Sequence, residues 1–364
     1  MSEIEILNYA QLNFIQNAIY MLGFVGLIFI TFRLIRYQRE NNANILGKIF
    51  VIILLLIISC SKSDSDVDNK SKENYSGFNF YEGLSTNYIQ HDGLRREYLL
   101  YIPNNIDNRQ NLPVIFNFHG YLGQASQFFS QTDLVDIADN NGVVLVYPQG
   151  SNLPSGGSHW NAAPANSSLR SFVNKSNADD LGFFKELLDE INQDNLIDLN
   201  RVYVIGYSNG GMFSHFLACN TENIIAAIGD VAGTMLNETY NSCNPSSPIP
   251  ILKIHGTSDG VVGYNGYNEG EFKSVEEVLD FWKSHNRSNN DEVIENLGST
   301  SIYSEFNNTS VNVNFEKYTY ESDENNSEVV HYKIINGGHW WDYSSDDNFK
   351  TSTLLWDFFS KHSK

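Results

Sequence analysis

The chain has 364 residues, of which 41% are hydrophobic, and its 23 Phe, 20 Tyr and 5 Trp are enough for a large buried core. Its formal net charge is -20 at pH 7. Because so acidic a surface repels phosphate groups, the composition excludes charge-driven binding to nucleic acid or to anionic membranes. We expect one folded domain preceded by a leader, since α/β domains of this size are commonly single.

Two apolar runs mark the beginning of the chain, at residues 18–32 and 49–59. The second run is too short to span a bilayer. It follows Lys48 and ends at Cys60, which is typical of a secretory signal. Its last four residues resemble a lipobox, in which the cysteine is lipidated and becomes the mature N-terminus. We therefore predict contact with the membrane through a lipid anchor at Cys60.

These features predict four segments: an apolar leader at 1–47, a lipoprotein-type signal peptide at 48–60, a flexible acidic tether at 61–76 and a folded domain at 77–362. The leader precedes the point where such a signal should begin, which a start site assigned too far upstream would explain. The alternative is that the first apolar run, with its flanks, forms a transmembrane helix and that Cys60 is an ordinary cysteine. Both alternatives place the folded domain outside the cytoplasm. We predict an outer-membrane or cell-surface lipoprotein, or a secreted protein.

Residues 112–118 form a continuous apolar run, which predicts a strand buried on both faces. The turn His119-Gly120-Tyr121 follows it directly. A glycine-bearing turn directly after a buried strand can aim backbone N–H groups into a site at the end of the strand, so we expect the backbone N–H of Tyr121 to be an oxyanion donor. His119 comes too early in the chain to be the catalytic base, and we expect it to pack the turn.

The polar segment at 151–175 contains Trp160, which either lines a substrate groove or caps the core. Asn177 is a candidate cap for a helix at 179–193, in whose first turn Asp180 suits the helix dipole. Trp160 and Asp180, with Trp340 further along the chain, are candidate substrate-binding residues.

The pentad Gly-Tyr-Ser-Asn-Gly separates residues 202–206, which have strand character, from a helical pattern that starts at Met212. Strand, sharp turn and helix in this order are typical of a nucleophile elbow, which would hold Ser208 above the sheet with its hydroxyl exposed. The flanking glycines are needed because side chains there would collide with the neighbouring strand and helix. The free N–H of Asn209, at the positive end of the helix, is the second candidate oxyanion donor.

The strand predicted at 249–254 leads into a loop that carries Asp259, the position from which a triad acid reaches the histidine. Asp230 is the rival acid, but it belongs to the strand one place earlier, and we expect it in a turn. After the last strand, at 329–335, a glycine-rich turn presents His339.

Strands that alternate with helices predict a mostly parallel central sheet with helices on both faces, the α/β-hydrolase fold, without a large separate lid domain. Ser208, Asp259 and His339 occur in the chain order of that fold, each after a predicted strand. We expect His339 to take the proton of Ser208 while Asp259 steadies the imidazolium, so that an acyl-enzyme forms and water releases the acid. This chemistry needs no cofactor and no metal, and no cluster of histidines and acids has convincing ligand spacing.

Cys219 and Cys243 are the only cysteines beyond Cys60. Two cysteines in an oxidising compartment suggest one disulfide, which would tie the helix after Ser208 to the loop after the next strand. The alternative is a pair of buried, unpaired thiols.

The motifs HGYLG, VYPQG, SHWN, ADDLGF, RVYVIGYSNGGM, IHGTSD and GGHWW occur in this order. In these motifs residues 77–362 resemble the polyhydroxybutyrate depolymerase and feruloyl esterase family of secreted α/β-hydrolases, which is related to carbohydrate esterases. The resemblance implies a triad, two oxyanion donors and a disulfide. They fall on Ser208, Asp259 and His339, on Tyr121 and Asn209, and on Cys219 and Cys243.

Two features depart from the family, and both bear on the substrate: a long polar surface insertion expected at 286–309 and the tandem Trp340-Trp341. The resemblance implies a secreted serine esterase that acts on feruloyl or acetyl esters of polysaccharides. With the signal that ends at Cys60, we expect this esterase to be secreted or lipid-anchored, and we expect it to be a monomer. Polyhydroxybutyrate or hydroxyalkanoate oligomers are the alternative substrate. A non-catalytic binding lipoprotein is the alternative from a different functional class.

Overall fold

The computed structural model describes residues 83–104, 111–153, 157–164, 176–193, 195–266, 271–288, 293–304, 309–322, 326–343 and 349–364. The predicted leader, signal peptide and tether, with Cys60, lie outside the described residues. Within the described part of the chain, no helix is both long enough and apolar enough to cross a membrane.

The described residues form twelve strands and seven helices. The strands are β1 (Gly83–His91), β2 (Leu94–Ile102), β3 (Leu112–Phe118), β4 (Val144–Pro148), β5 (Ser151–Asn152), β6 (Ser158–His159), β7 (Ile197–Tyr207), β8 (Ala227–Val231), β9 (Ile251–Gly256), β10 (Val293–Ser304), β11 (Thr309–Tyr320) and β12 (Val329–Ile335). The helices are α1 (Ala125–Thr132), α2 (Val135–Asn141), α3 (Asp180–Ile191), α4 (Asn209–Asn220), α5 (Asn237–Ser242), α6 (Val275–Asn286) and α7 (Thr351–Phe359).

Ten of these strands form one sheet in the order β1-β2-β4-β3-β7-β8-β9-β12-β11-β10. The six strands from β4 to β12 in that order run parallel, and antiparallel strands extend the sheet at both edges. β5 and β6 form a separate two-stranded sheet. The carboxyl ends of the six parallel strands therefore lie along one side of the sheet, which we call its carboxyl edge. α/β proteins bind their ligands at this side.

Successive side chains of β3 point to opposite faces of the sheet, Val114 and Phe116 to one face and Ile115 to the other. Helices α3, α4 and α6 pack on the first face, and α1, α2 and α7 pack on the second. All residues of β3 are buried, as its continuous apolar run predicts for a strand covered on both faces. The predicted mostly parallel sheet with helices on both faces is confirmed.

The predicted surface insertion at 286–309 is wrong, because much of this segment is strand β10. It pairs with β11 at the edge of the sheet, with Val293 opposite Thr319. An edge strand has one neighbour and is largely open to water, and Val293 and Ile294 are each more than half exposed. The segment is therefore mostly polar and lacks the alternation of apolar residues by which a half-buried strand is recognised.

Two helices also differ from the sequence prediction, one in its cap and one in its existence. Asn177 does not cap α3; Asp179 does, because its side chain accepts a hydrogen bond from the N–H of Gly182 at 2.8 Å. Helix α1 was not predicted at all, since it carries no side-chain cap and no acidic residue in its first turn.

Cys219, near the end of α4, forms a disulfide with Cys243, which directly follows α5. The predicted disulfide is confirmed, and the alternative of two unpaired thiols is wrong. The two cysteines are 24 residues apart in sequence, so the bond closes a loop of moderate length.

Replacing both cysteines with alanine should lower the free energy of unfolding by about 3 kcal/mol, because the open chain regains the entropy of a loop of this size. Denaturant unfolding of the full chain measures this change. The Cys60→Ala variant is the control, since it leaves both partners in place. Equal free energies of unfolding for the wild type and the double variant would contradict a stabilising disulfide.

Candidate functional site

The chain passes from β7 into α4 through a sharp turn at Ser208. The backbone of Ser208 has φ 55° and ψ -117°, a conformation that residues other than glycine rarely adopt. A Cβ atom at Gly206 would lie 2.0 Å from the carbonyl oxygen of Gly210, and one at Gly210 would lie 2.0 Å from that of Phe118. Close backbone packing therefore requires glycine at both positions, as expected for a nucleophile elbow.

The turn that follows β3 lies beside Ser208. A Cβ atom at Gly120 would lie 3.3 Å from Cβ of Ser208 and 3.1 Å from the ring of Tyr207. Tyr121, a candidate oxyanion donor, is the next residue in this turn. Asn209, the other candidate, is the first residue of α4, so its N–H has no acceptor within the helix. The two candidate donors thus belong to two turns that approach each other at Ser208.

Asp259 and His339 are joined by a hydrogen bond of 2.7 Å from Nδ1 of His339 to Oδ2 of Asp259. The other carboxylate oxygen, Oδ1, accepts hydrogen bonds from the N–H groups of Val261 and Val262, both at 2.8 Å. The Asp259 side chain is fully buried, whereas that of His339 keeps 15% of its surface exposed. With Nδ1 bound to Asp259, Nε2 is the imidazole nitrogen that can accept a proton.

His255 supports Asp259 from the buried side, with Nε2 of His255 3.4 Å from Oδ2 of Asp259. The same nitrogen donates a hydrogen bond to the carbonyl oxygen of Val262 at 2.8 Å. Burial lowers the pKa of His255 to about 4, which keeps it neutral at physiological pH. Burial would raise the pKa of Asp259, but the hydrogen bond from His339 and the charge of that ring lower it overall. This supporting role was missed in the sequence, although His255 precedes Asp259 by four residues.

Tyr207, also missed in the sequence, connects the turn at Ser208 with His339. The rings of Tyr207 and His339 pack with their centroids 5.1 Å apart, and the Tyr207 hydroxyl donates to the backbone oxygen of His339 at 2.9 Å. Ser208, Asp259 and His339 therefore all lie at the carboxyl edge of the sheet. Among the described residues, however, no hydrogen bond joins the Ser208 hydroxyl to the His339 ring.

Trp160 does not face a substrate, because it is fully buried. Its indole Nε1 donates to the carbonyl oxygen of His119 at 3.0 Å, and its backbone N–H donates to Oδ1 of Asn209 at 2.7 Å. The prediction of Trp160 as a substrate-binding residue is wrong. The alternative, that it caps the core, describes it correctly, since it links the turn after β3 to the start of α4.

Asp180 is also buried, and it forms an ion pair of 2.8 Å with Arg96. Its second oxygen accepts a hydrogen bond from the N–H of Asn161 at 2.8 Å. The prediction of Asp180 as a substrate-binding residue is therefore wrong, because both oxygens hold the protein framework. Trp340 is partly exposed next to His339 and packs against Tyr343, with ring centroids 5.8 Å apart, so it stays a candidate.

The rival acid, Asp230, lies within β8, and its expected position in a turn is wrong. Its Oδ2 accepts hydrogen bonds from Nζ of Lys253 at 2.6 Å and from Nε2 of His215 at 2.9 Å. Burial opposes ionisation, but these two partners hold the pKa of Asp230 well below its usual range. The carboxylate of Asp230 therefore bonds to Lys253 and His215 in the protein interior and not to His339.

His119 packs the turn after β3, as expected. Its Nδ1 donates to the carbonyl oxygen of Gly120 at 2.7 Å, and its Nε2 accepts from the N–H of Gly150 at 3.0 Å. Burial lowers the pKa of His119 to about 4, so the neutral ring can both donate and accept.

The described residues contain no group of three or more His, Cys, Asp or Glu side chains that could hold a metal ion.

Residues 102–306 match the family model described as phospholipase/carboxylesterase. Feruloyl esterase B of Piromyces equi is 31% identical over 173 residues, which are 47% of this chain and 30% of the relative. A bifunctional acetylxylan esterase/xylanase of Neocallimastix patriciarum is 28% identical over 177 residues, 49% of this chain and 23% of the relative. The chain thus spans less than a third of the length of these two relatives.

Solved structures share the fold. The acetyl xylan esterase from Aspergillus awamori superposes with a TM-score of 0.52 and 12% identity, over 76% of this chain and 99% of that one. A feruloyl esterase module from Clostridium thermocellum superposes with a TM-score of 0.50 and 10% identity, over 77% and 87% of the two chains. At such low identity these likenesses show the fold alone, and they confirm the predicted fold class.

Gly210→Ala should destabilise the protein by more than about 3 kcal/mol or prevent folding, because the added Cβ collides with the backbone of β3 rather than with a movable side chain. Gly260→Ala is the matched control, since a Cβ there has nothing within 4 Å. Thermal unfolding of the two variants tests the difference. A Gly210→Ala protein as stable as the control would show that the turn can relax.

Proposed function

Because the chain belongs to the phospholipase/carboxylesterase family, we propose that it is a serine carboxylic-ester hydrolase with the triad Ser208, Asp259 and His339. The observation that carries this proposal is the hydrogen bond between His339 and Asp259 at the sheet edge where a strained turn presents Ser208. Strain of this kind persists only where the surrounding structure imposes it, and it clusters at functional sites.

In the proposed acylation step, Oγ of Ser208 attacks the ester carbonyl carbon while Nε2 of His339 takes the hydroxyl proton. Ionised Asp259 orients the imidazole and stabilises the imidazolium through Nδ1. The N–H groups of Tyr121 and Asn209 stabilise the negative charge on the carbonyl oxygen. His339 then gives its proton to the departing alcohol, and the acyl group stays on Ser208.

Water completes the proposed cycle. Nε2 of His339 takes one proton of a water molecule, and the water oxygen attacks the acyl carbon. The intermediate collapses, the oxygen of Ser208 regains the proton, and the carboxylic acid leaves. We expect the hydrogen bond between Ser208 and His339 to form when substrate binds, because contacts between nucleophile and base often tighten only in that complex.

We propose feruloyl or acetyl esters of polysaccharides as the substrates. The names of the relatives, a feruloyl esterase and an acetylxylan esterase/xylanase, support this substrate class. Trp340 is proposed to contact the substrate, because it is the partly exposed aromatic residue next to His339.

Ser208→Ala should reduce the hydrolysis of nitrophenyl acetate by at least about 10⁴-fold, because the nucleophilic oxygen is lost. Asp259→Asn should reduce it by a similar factor, because His339 would then hold the imidazole tautomer that cannot act as the base. Steady-state kinetics measure both effects, and circular dichroism checks that both variants fold. The exposed Ser246 provides the control Ser246→Ala, which should keep full activity. Persistent activity of Ser208→Ala would refute the assignment, and a folded wild type that a fluorophosphonate cannot label would favour a non-catalytic binding protein.

We also propose that the domain lies outside the cytoplasm and is attached to the membrane by a lipid anchor at Cys60. The disulfide supports an oxidising compartment, because such bonds are rare in reducing cytosol. Mass spectrometry of the protein from its native membrane should find a lipidated N-terminal Cys60. A mature chain that still contains residues 18–32 would support the transmembrane alternative instead.

A further inference from the structure

An open groove of about 1100 Å³ lies at the carboxyl edge of the sheet, outside the proposed triad. We call it the edge groove. Three parts of the chain line it: residues 92–97 at the start of β2, residues 122–126 after β3, and residues 149–153 after β4, with further residues near 157 and 177. Its volume exceeds the roughly 300 to 1000 Å³ of pockets that enclose a drug-sized ligand, so it is large enough for a chain-like one.

The edge groove begins close to the proposed nucleophile. Leu122, which lines it, is two residues from Gly120, whose Cβ position lies 3.3 Å from Cβ of Ser208. From there the edge groove extends away from Ser208, over the ends of β3, β4 and β2, which follow β7 in this order across the sheet. Three spacings of about 4.8 Å between neighbouring strands place the far side of the groove on the order of 15 Å from the nucleophile strand.

The lining suits a sugar chain. Exposed amide side chains of Gln124, Asn152 and Asn177 can both donate and accept hydrogen bonds, as sugar hydroxyls do. Leu94 and Leu122 are 43% and 57% exposed, and they offer apolar surface to the C–H faces of sugar rings. The edge groove therefore offers both apolar surface and hydrogen-bonding groups.

The charge of the groove favours a neutral glycan. Arg95 and Arg96 line it together with Asp92 and Glu97, so neither sign dominates. The guanidinium of Arg96 is already paired with Asp180, and that of Arg95 lies 3.5 Å from the centroid of the Tyr88 ring. The chain as a whole carries -20, which repels a polymer rich in carboxylates.

We propose that the edge groove binds the sugar chain of a neutral polysaccharide whose ester group reaches Ser208, so that the alcohol side of the substrate lies over β3, β4 and β2. This inference rests on the proposed function, and it assigns the sugar chain of the substrate to the edge groove. It predicts that a glycan binds even when the ester cannot be cleaved.

The test uses the full chain with Ser208→Ala, so that binding is measured without hydrolysis. Isothermal titration calorimetry with neutral xylo-oligosaccharides should show binding, and adding Asn152→Trp, which fills the groove, should weaken it at least tenfold. In the protein with Ser208 intact, Asn152→Trp should lower the ratio of kcat/KM for acetylated xylo-oligosaccharide to kcat/KM for nitrophenyl acetate by at least tenfold.

Glu222→Trp is the matched control. Glu222 is exposed and lines a second cavity of about 460 Å³, among residues that precede β8 and β9 and therefore lie at the opposite edge of the sheet. This variant should change neither the glycan affinity nor the ratio of rates.

The outcomes separate the two proposals. Glycan affinity that is absent, or that survives Asn152→Trp, would overturn the assignment of the edge groove even if nitrophenyl acetate is hydrolysed. Stronger binding of polygalacturonate fragments than of xylo-oligosaccharides would overturn the choice of a neutral glycan. Failure of the wild type to hydrolyse any ester would overturn the proposed function, whereas groove-dependent glycan binding would still support the groove as a sugar site.

Discussion

The close packing of backbone around Ser208 is the constraint on which the site depends. Gly206, Gly210 and Gly120 bring β7, α4 and the turn after β3 so close together that a Cβ atom would collide at two of these positions and be crowded at the third. The positive-φ conformation of Ser208 persists because these close backbone contacts leave the turn no room to relax. Both elements are held by the buried core on the same face of the sheet, so the strain is balanced by the packing of the whole domain.

The other half of the site is organised in the same way. A Cβ atom at Gly256 would lie 2.2 Å from the carbonyl oxygen of Gly337, so the loops that carry Asp259 and His339 pack backbone against backbone. β9 and β12 are parallel neighbours, so the loops at their carboxyl ends lie side by side. Asp259 and His339 are 80 positions apart in the sequence, yet Oδ2 of Asp259 lies 2.7 Å from Nδ1 of His339. Tyr207 connects the two halves through its contact with the His339 ring.

Buried charges away from the proposed triad explain why acids are hard to assign from a sequence. Asp230 with Lys253, and Asp180 with Arg96, are ion pairs of the framework in which each carboxylate has partners for both oxygens. Such pairs contribute little net stability, but removing one partner leaves a buried charge uncompensated. A short acidic side chain beside a strand or helix end looks the same in sequence whether it supports the framework or faces a ligand.

The sequence by itself determined the parallel sheet, the position of the turn at Ser208 and the order of Ser208, Asp259 and His339, because apolar periodicity and glycine-bearing turns are local signals. It did not reveal β10, whose polar residues follow from its place at the sheet edge, nor the burial of Trp160 and Asp180. The supporting contacts of His255 and Tyr207 were also decided only by the tertiary structure. Burial and partnership depend on which distant segments pack against a residue, and that information belongs to the assembled fold rather than to any stretch of the chain.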